Sequence, residues 1–182
     1  MLGKFVALTL LVAVGGGAGS EGSELLGKAA PGWDTAEWIQ GGPLTLDGLR
    51  GRVVLLRWWT GPECPYCGAS APYLNAWHSR YNRQGLVVAG FYHHKSRKPL
   101  TRQHVSELAG RFGFRFPVAI DTDWRILRRW WLDGHDRRFT SVSFLLDQNG
   151  IIRYIHPGGT YTPDVAAAIE SKIEALLKVP SR

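Results

Sequence analysis

Two apolar runs, Val53–Trp59 and Leu86–Tyr92, flank the only two cysteines of the chain, which stand together as Cys64-Pro65-Tyr66-Cys67. Near-continuous apolar runs of this kind predict strands buried on both faces, the environment of central strands in a layered α/β sheet. Between them Tyr73, Leu74, Trp77 and Tyr81 recur at three-and-four spacing, which predicts a helix from Pro65 to about Arg83 with a kink at Pro72. Strand, helix and strand in that order make a right-handed βαβ unit. The cysteines then fall at the carboxyl edge of the first strand, where open α/β sheets put their chemistry.

The cysteine spacing carries a mechanism. Proline is favoured at the first helical position, so Pro65 and Tyr66 open the helix and Cys64 takes its N-cap. Unbonded N–H groups and the positive end of the helix dipole there stabilise a thiolate, and the pKa of Cys64 is expected below the free value of about 8.5. Cys67, one turn inward, is placed to attack a mixed disulfide on Cys64. Two other readings stay open at this point. A C-x-x-C pair is half of a structural zinc site, but such sites take four N or S ligands and the chain has no second pair. An inert disulfide would close a very short loop and gain little from chain entropy.

The remaining pattern completes one α/β domain. Thr101 is a cap for a helix from Arg102 to about Phe112, with Val105, Leu108, Ala109 and Phe112 inward. Phe116–Ile120 reads as a strand and Trp124–Trp131 as a short helix. Val142–Leu146 and Ile151–Ile155 form a hairpin about Asp147-Gln148-Asn149-Gly150, with Asn-Gly supplying positive φ. Asp164–Leu177 is an amphipathic closing helix. Pro43–Leu46 reads as a short edge strand. His156–Tyr161, with two glycines, either borders the site or connects tightly into the last helix.

The first residues give a lysine, an apolar stretch Phe5–Val14 and a small-residue zone, the layout of an export signal and too short to span a bilayer. The expected organisation is a signal over 1–20, an extension over 21–42 and the domain over 43–178. Export to the periplasm or cell envelope suits disulfide exchange; an uncleaved signal would leave the protein anchored. The net charge of +7 comes without any nucleic-acid motif, and acidic residues are interspersed among the basic ones between Lys95 and Arg138, so the expected partner is acidic or a membrane surface rather than nucleic acid.

Taken in order, these elements resemble the thioredoxin-like fold, a central mixed sheet flanked by helices. More narrowly the chain is similar to the exported thiol-disulfide oxidoreductases of the TlpA and ResA type in the redoxin branch. The residues that carry the resemblance are Gly51–Leu56, the Cys64–Cys67 motif, Pro72, and Phe144–Ile152. It implies a protein-disulfide reductase that needs no organic cofactor, with a protein thiol or disulfide as substrate and an electron-donor or acceptor thiol protein, in the membrane or free, as its partner. The Pro65-Tyr66 pair is similar to that of glutaredoxins, which implies a potential less reducing than thioredoxin's.

Three positions depart from the family pattern. Glu63 replaces the tryptophan before the first cysteine, and Ser70 stands where a glutamate is usual. Glu63 is thus the candidate for proton handling, although a carboxylate beside Cys64 opposes the helix terminus. Ser141 falls at the family's cis-proline position, so Thr140 and Ser141 are the candidate substrate loop; a cis bond without proline costs about 3 kcal/mol, and Ser141 is expected trans. Two alternatives remain. A peroxiredoxin-like peroxidase wants Thr or Ser three residues before its cysteine, where Gly61 stands and Thr60 is one residue off. A copper(I) chaperone would use Cys64 and Cys67 with His93 and His94, soft and imidazole ligands that suit copper, against which His93-His94 reads as part of a polar loop.

Overall fold

The structure is a computed structural model that describes residues 21–33, 36–61 and 65–179. Six strands make one mixed sheet in the order β1-β4-β3-β2-β5-β6: β1 Glu37–Gln40, β2 Val53–Trp59, β3 Leu86–Tyr92, β4 Val118–Ile120, β5 Val142–Leu146 and β6 Ile152–Pro157. The helices are α1 Pro65–Tyr81, α2 Arg102–Arg111, α3 Arg125–Leu127, which runs on into a wider turn over Arg128–Leu132, and α4 Pro163–Leu177. The export-signal residues of the sequence reading lie outside the described residues.

Strand β2 is the axis of the molecule. It pairs in parallel with β3 from Val53 opposite Leu86 to Trp59 opposite Tyr92, and antiparallel with β5, where Arg57 faces Ser143. All seven of its residues are buried. The period-two alternation of a strand sorts them into two layers. Val53, Leu55 and Trp59 pack with Cys67 and Trp77 of α1, Val105 of α2 and Ile169 of α4. Val54, Leu56 and Trp58 pack on the other side with Ile126, Trp130, Trp131 and Phe144.

Capping and turn chemistry set the connections. Thr101 caps α2 by accepting from the His104 N–H at 3.2 Å, and Thr162 does the same for α4 with Val165 at 3.3 Å. In the hairpin only Gly150, at φ 71°, takes the left-handed conformation, and Asn149 does not. Asp147 does the rest, accepting from the N–H groups of Asn149 and Ile151 at 2.9 and 3.0 Å and from Arg153 Nε at 2.6 Å. An aspartate that bonds its own turn replaces one of the two positive-φ residues the Asn-Gly pattern suggested.

The edge strand differs from the expectation. Pro43–Leu46 forms no strand; the edge is β1, antiparallel to β4 with Trp38 opposite Ala119. The reason is packing on both faces. Trp38 joins one core cluster and Ile39 the other, whereas the Leu44 carbonyl is spent on Trp33 Nε1 at 2.8 Å. Residues between 21 and 42 are therefore woven into the sheet, and Ala29 makes a further isolated bridge with Ile151.

Beyond β4, Asp121 is buried and organises the turn into α3. Its carboxylate accepts from the N–H groups of Ile126 and Leu127 at 2.8 and 2.7 Å and from Trp58 Nε1 at 3.0 Å. Burial pushes its pKa up, while these donors pull it down. Asp121→Ala would orphan all three donors. It is expected to cost about 2–4 kcal/mol in urea unfolding, and Asp121→Asn clearly less; equal losses in both variants would rule out the bonding role.

Candidate active site

Helix α1 opens at Pro65, directly beyond the carboxyl end of β2. Cys67 lies in its first turn with no exposure, packed in the cluster that holds Leu55, Trp59 and Tyr161, while Tyr66 beside it is 52% exposed. Glu63 and Cys64 lie outside the described residues. α1 continues through Pro72 without a break. Ser70 is buried, and its hydroxyl donates to the Cys67 carbonyl at 3.0 Å, so a neutral group occupies the place where the resemblance led one to expect an acid.

Tyr66 forms one wall of a groove of about 360 Å³. The facing wall is Phe139, Thr140 and Ser141, the approach to β5, and Gly159 and Thr160 close it from beyond β6. The two halves of the sequence-predicted site, helix opening and substrate loop, thus meet across one groove. The peptide bond before Ser141 is trans. The Ser141 carbonyl accepts from Gly158 N–H at 2.8 Å, extending the β5–β6 ladder by one pair. Among the described residues, the charged side chains lining the groove are Lys95 and Arg138, both cations. Phe139, 42% exposed, supplies its apolar surface.

His93 follows β3 and is fully buried; its Nε2 meets Thr140 Oγ1 at 3.1 Å and its ring stands edge-on to Trp124 at 5.3 Å. Burial, reinforced by the Lys95 and Arg57 charges, pushes its pKa down to about 3. Trp124 is held there by strained backbone, since Asp123 and Trp124 take positive φ of 55° and 59°, and its Nε1 donates to the His94 carbonyl at 2.9 Å. His94 engages both ring nitrogens, with Tyr92 Oη at 3.0 Å and the Lys98 carbonyl at 2.7 Å. His93 and His94 therefore have separate partners, and among the described residues no group of three or more His, Cys, Asp or Glu is arranged to hold a metal ion.

Sequence reasoning passed over Arg57. It is fully buried in the middle of β2; Nη1 donates to the Gly158 carbonyl at 2.7 Å and lies 3.3 Å from Ser143 Oγ, while Nε and Nη2 have no partner. Gly158 takes φ 86°, a conformation that suits glycine. Trp59 Nε1, Thr60 Oγ1 and His93 Nδ1 are likewise buried without a hydrogen bond. Unsatisfied buried polar atoms are rare in folded proteins, and here all those among the described residues except His78 Nδ1 lie on or just beyond β2 and β3. The available signal was a lone charge inside a strand otherwise read as buried on both faces.

Comparison with known proteins gives this architecture its lineage. Residues 27–173 match the family model described as Redoxin. The chain belongs to the Redoxin family. Among relatives, ResA, a thiol-disulfide oxidoreductase of Geobacillus thermodenitrificans, is 27% identical over 146 residues, covering 80% of this chain and 77% of its own. Protein DipZ of Mycobacterium bovis is 28% identical over 116 residues, 64% of this chain, and this redoxin spans 16% of the length of DipZ. Among solved structures, one described as a thiol:disulfide interchange protein DsbE from Chlorobium tepidum superposes with a TM-score of 0.68 at 26% identity, over 84% of this chain and 97% of that one. The fold is thioredoxin-like, as the element order implied.

The buried histidines set an acid limit on stability. His93 binds its proton at about 3 when folded and near 6.5 when unfolded, and burial lowers His78 and His156 in the same direction. The unfolded chain therefore binds more protons in that interval, and stability, complete above about pH 6.5, declines as pH falls toward 3. The urea midpoint is expected to drop steadily between pH 7 and 4, and His93→Gln to flatten the slope. A variant profile as steep as the wild type's would assign the acid sensitivity to other groups.

Proposed function

We propose that this chain is an exported thiol-disulfide oxidoreductase that exchanges disulfides with polypeptide substrates through Cys64 and Cys67, working in the reductase direction. The observation that supports it best is Cys67 buried in the first turn of a helix that opens at the carboxyl edge of a central strand, with Tyr66 beside it lining a groove of about 360 Å³. Membership of the Redoxin family and likeness to ResA and to the DsbE structure agree with this chemistry. Export rests on the residues before Glu21. Among the described residues no helix is long and apolar enough to cross a membrane.

In this reading the Cys64 thiolate attacks a substrate disulfide, one substrate sulfur leaves as a thiolate, and a mixed disulfide forms. Cys67 then attacks the Cys64 sulfur and releases the second substrate thiol. Two electrons have passed to the substrate, the protein holds the Cys64–Cys67 disulfide, and a donor thiol protein restores the dithiol. Ser70 offers no carboxyl group to this sequence, which leaves Glu63 and solvent to handle protons.

Three variants and a potential test the reading. With a disulfide-bonded protein as substrate, Cys64→Ser is expected to abolish reduction and Cys67→Ser to accumulate a mixed disulfide detectable as a mass adduct. The couple of the full chain, poised against glutathione, is expected nearer the roughly −270 mV of thioredoxin than the roughly −120 mV of a strong oxidant. A value at the oxidising end would reverse the direction, and copper(I) retention without thiol turnover would replace the reading altogether. The cationic groove adds a specificity test: Lys95→Glu with Arg138→Glu should raise KM by roughly three- to tenfold for a peptide disulfide flanked by aspartates. The same peptide flanked by lysines should lose this disadvantage, and equal effects on both peptides would dismiss the groove as the docking surface.

A further inference from the structure

Arg57 is a buried positive charge in the core that no acidic side chain among the described residues neutralises. Strand alternation sets it on the same side of β2 as Leu55 and Trp59, which share a cluster with Cys67, Trp77 and Tyr161. Its guanidinium carbon lies 5.5 Å from the centre of the Tyr161 ring, and that ring packs on Trp77 and Tyr73 of α1 at 5.9 and 6.3 Å. Nη1 reaches only a carbonyl and a hydroxyl, and Nε and Nη2 reach nothing. No ion pair to Arg57 occurs among the described residues.

Among the described residues, the titratable groups around it come from three other segments, and none is an anion. His93 beyond β3 and His156 in β6 are held neutral by burial, and burial keeps the Tyr161 phenol protonated. Lys95 at the groove adds a further positive charge. A guanidinium cannot shed its proton in a protein, so Arg57 remains charged where an unpaired charge is strongly disfavoured. A negative group facing it in one state of the protein would favour that state over the other. The redox pair supplies such a group, because a disulfide is neutral and a dithiol with a thiolate is not.

We propose that Arg57 is the buried counter-charge of the reduced cysteine pair, a positioning residue that stabilises the thiolate and thereby favours the dithiol over the disulfide. This rests on the redox reading of Cys64 and Cys67. The reaction it biases balances simply: the protein disulfide and two glutathione thiols give the protein dithiol and glutathione disulfide, and one protein thiol then releases its proton to solvent. Thiolate stabilisation makes the couple more oxidising than the same motif without Arg57. It also provides an electrostatic contribution that the neutral Ser70 does not.

The test is equilibration of the full chain with glutathione buffers, the two protein states being counted after alkylation of free thiols. Arg57→Met is expected to lower the equilibrium constant for reduction about tenfold, equivalent to ~30 mV for a two-electron couple. Arg57→Lys, which keeps the charge, should stay within about threefold of wild type, as should Ser143→Ala, which removes a neighbour of Arg57 but not its charge. Thiolate absorbance of the wild type needs no variant and should place the lower thiol pKa beneath the free value of about 8.5. The proposal is overturned by a wild-type thiol pKa at or above that value, by Arg57→Met matching wild type, or by Arg57→Lys falling as far as Arg57→Met, which would make Arg57 a tie between β2 and the Gly158 turn and nothing more. A wild type with no reversible couple removes the redox reading itself, whereas a reversible couple indifferent to Arg57 removes only this inference.

Discussion

Burial of β2 from both faces is the constraint on which the rest of the molecule depends. A strand covered on each side must have its hydrogen bonds met by neighbours on both edges, and β3 and β5 meet them. Its parallel partner requires a crossover, which is α1, and the crossover must begin where β2 ends. The opening turn of that helix, with its unbonded N–H groups, is thereby fixed at the sheet edge beside Cys67. Loops after β3 and β6 and the approach to β5 converge on the same edge because those strands end there too.

The electrostatics of that edge run in one direction. Lys95 and Arg138 line the groove, Arg57 is buried in β2 without an acidic partner among the described residues, and burial pushes the pKa of His93 down to about 3. Asp121, a buried carboxylate just beyond β4, belongs to the opposite layer through Trp58 and accepts from three donors. Buried polar atoms without a hydrogen bond lie at the ends of β2 and β3 beside that site. Strained backbone at Asp123 and Trp124 holds the wall of that site against His93.

The resemblance drawn from the sequence led to the fold and family, and apart from the edge strand the structural departures concern single residues. Ser141 sits at the head of β5, where alignment on Phe144 and Leu145 put it, and its trans bond follows from its not being proline. Thr140 proved to have a partner that no local pattern indicated, His93, forty-seven positions away in sequence. The histidine pair was read as one unit with a shared ligand or none. Each instead found its own partners, because adjacent residues leaving a strand point to opposite sides.

What the sequence by itself determined is the set of features written in local chemistry: the unbroken apolar runs that must be buried, the proline that opens α1, the threonine caps, the turn at Gly150 and the spacing of the two cysteines. What only the tertiary structure decided is which side chains meet across the layers. The edge strand went to Glu37–Gln40 because Trp38 and Ile39 each found a core to enter, and Arg57 has no acid among the described residues because the segments brought around it there carry histidines, a tyrosine and a carbonyl. Local patterns report the preference of a residue for water or for a backbone conformation. The charge a buried group faces depends on segments a hundred residues distant, such as Gly158 at a separation of 101, and that is settled only when they pack.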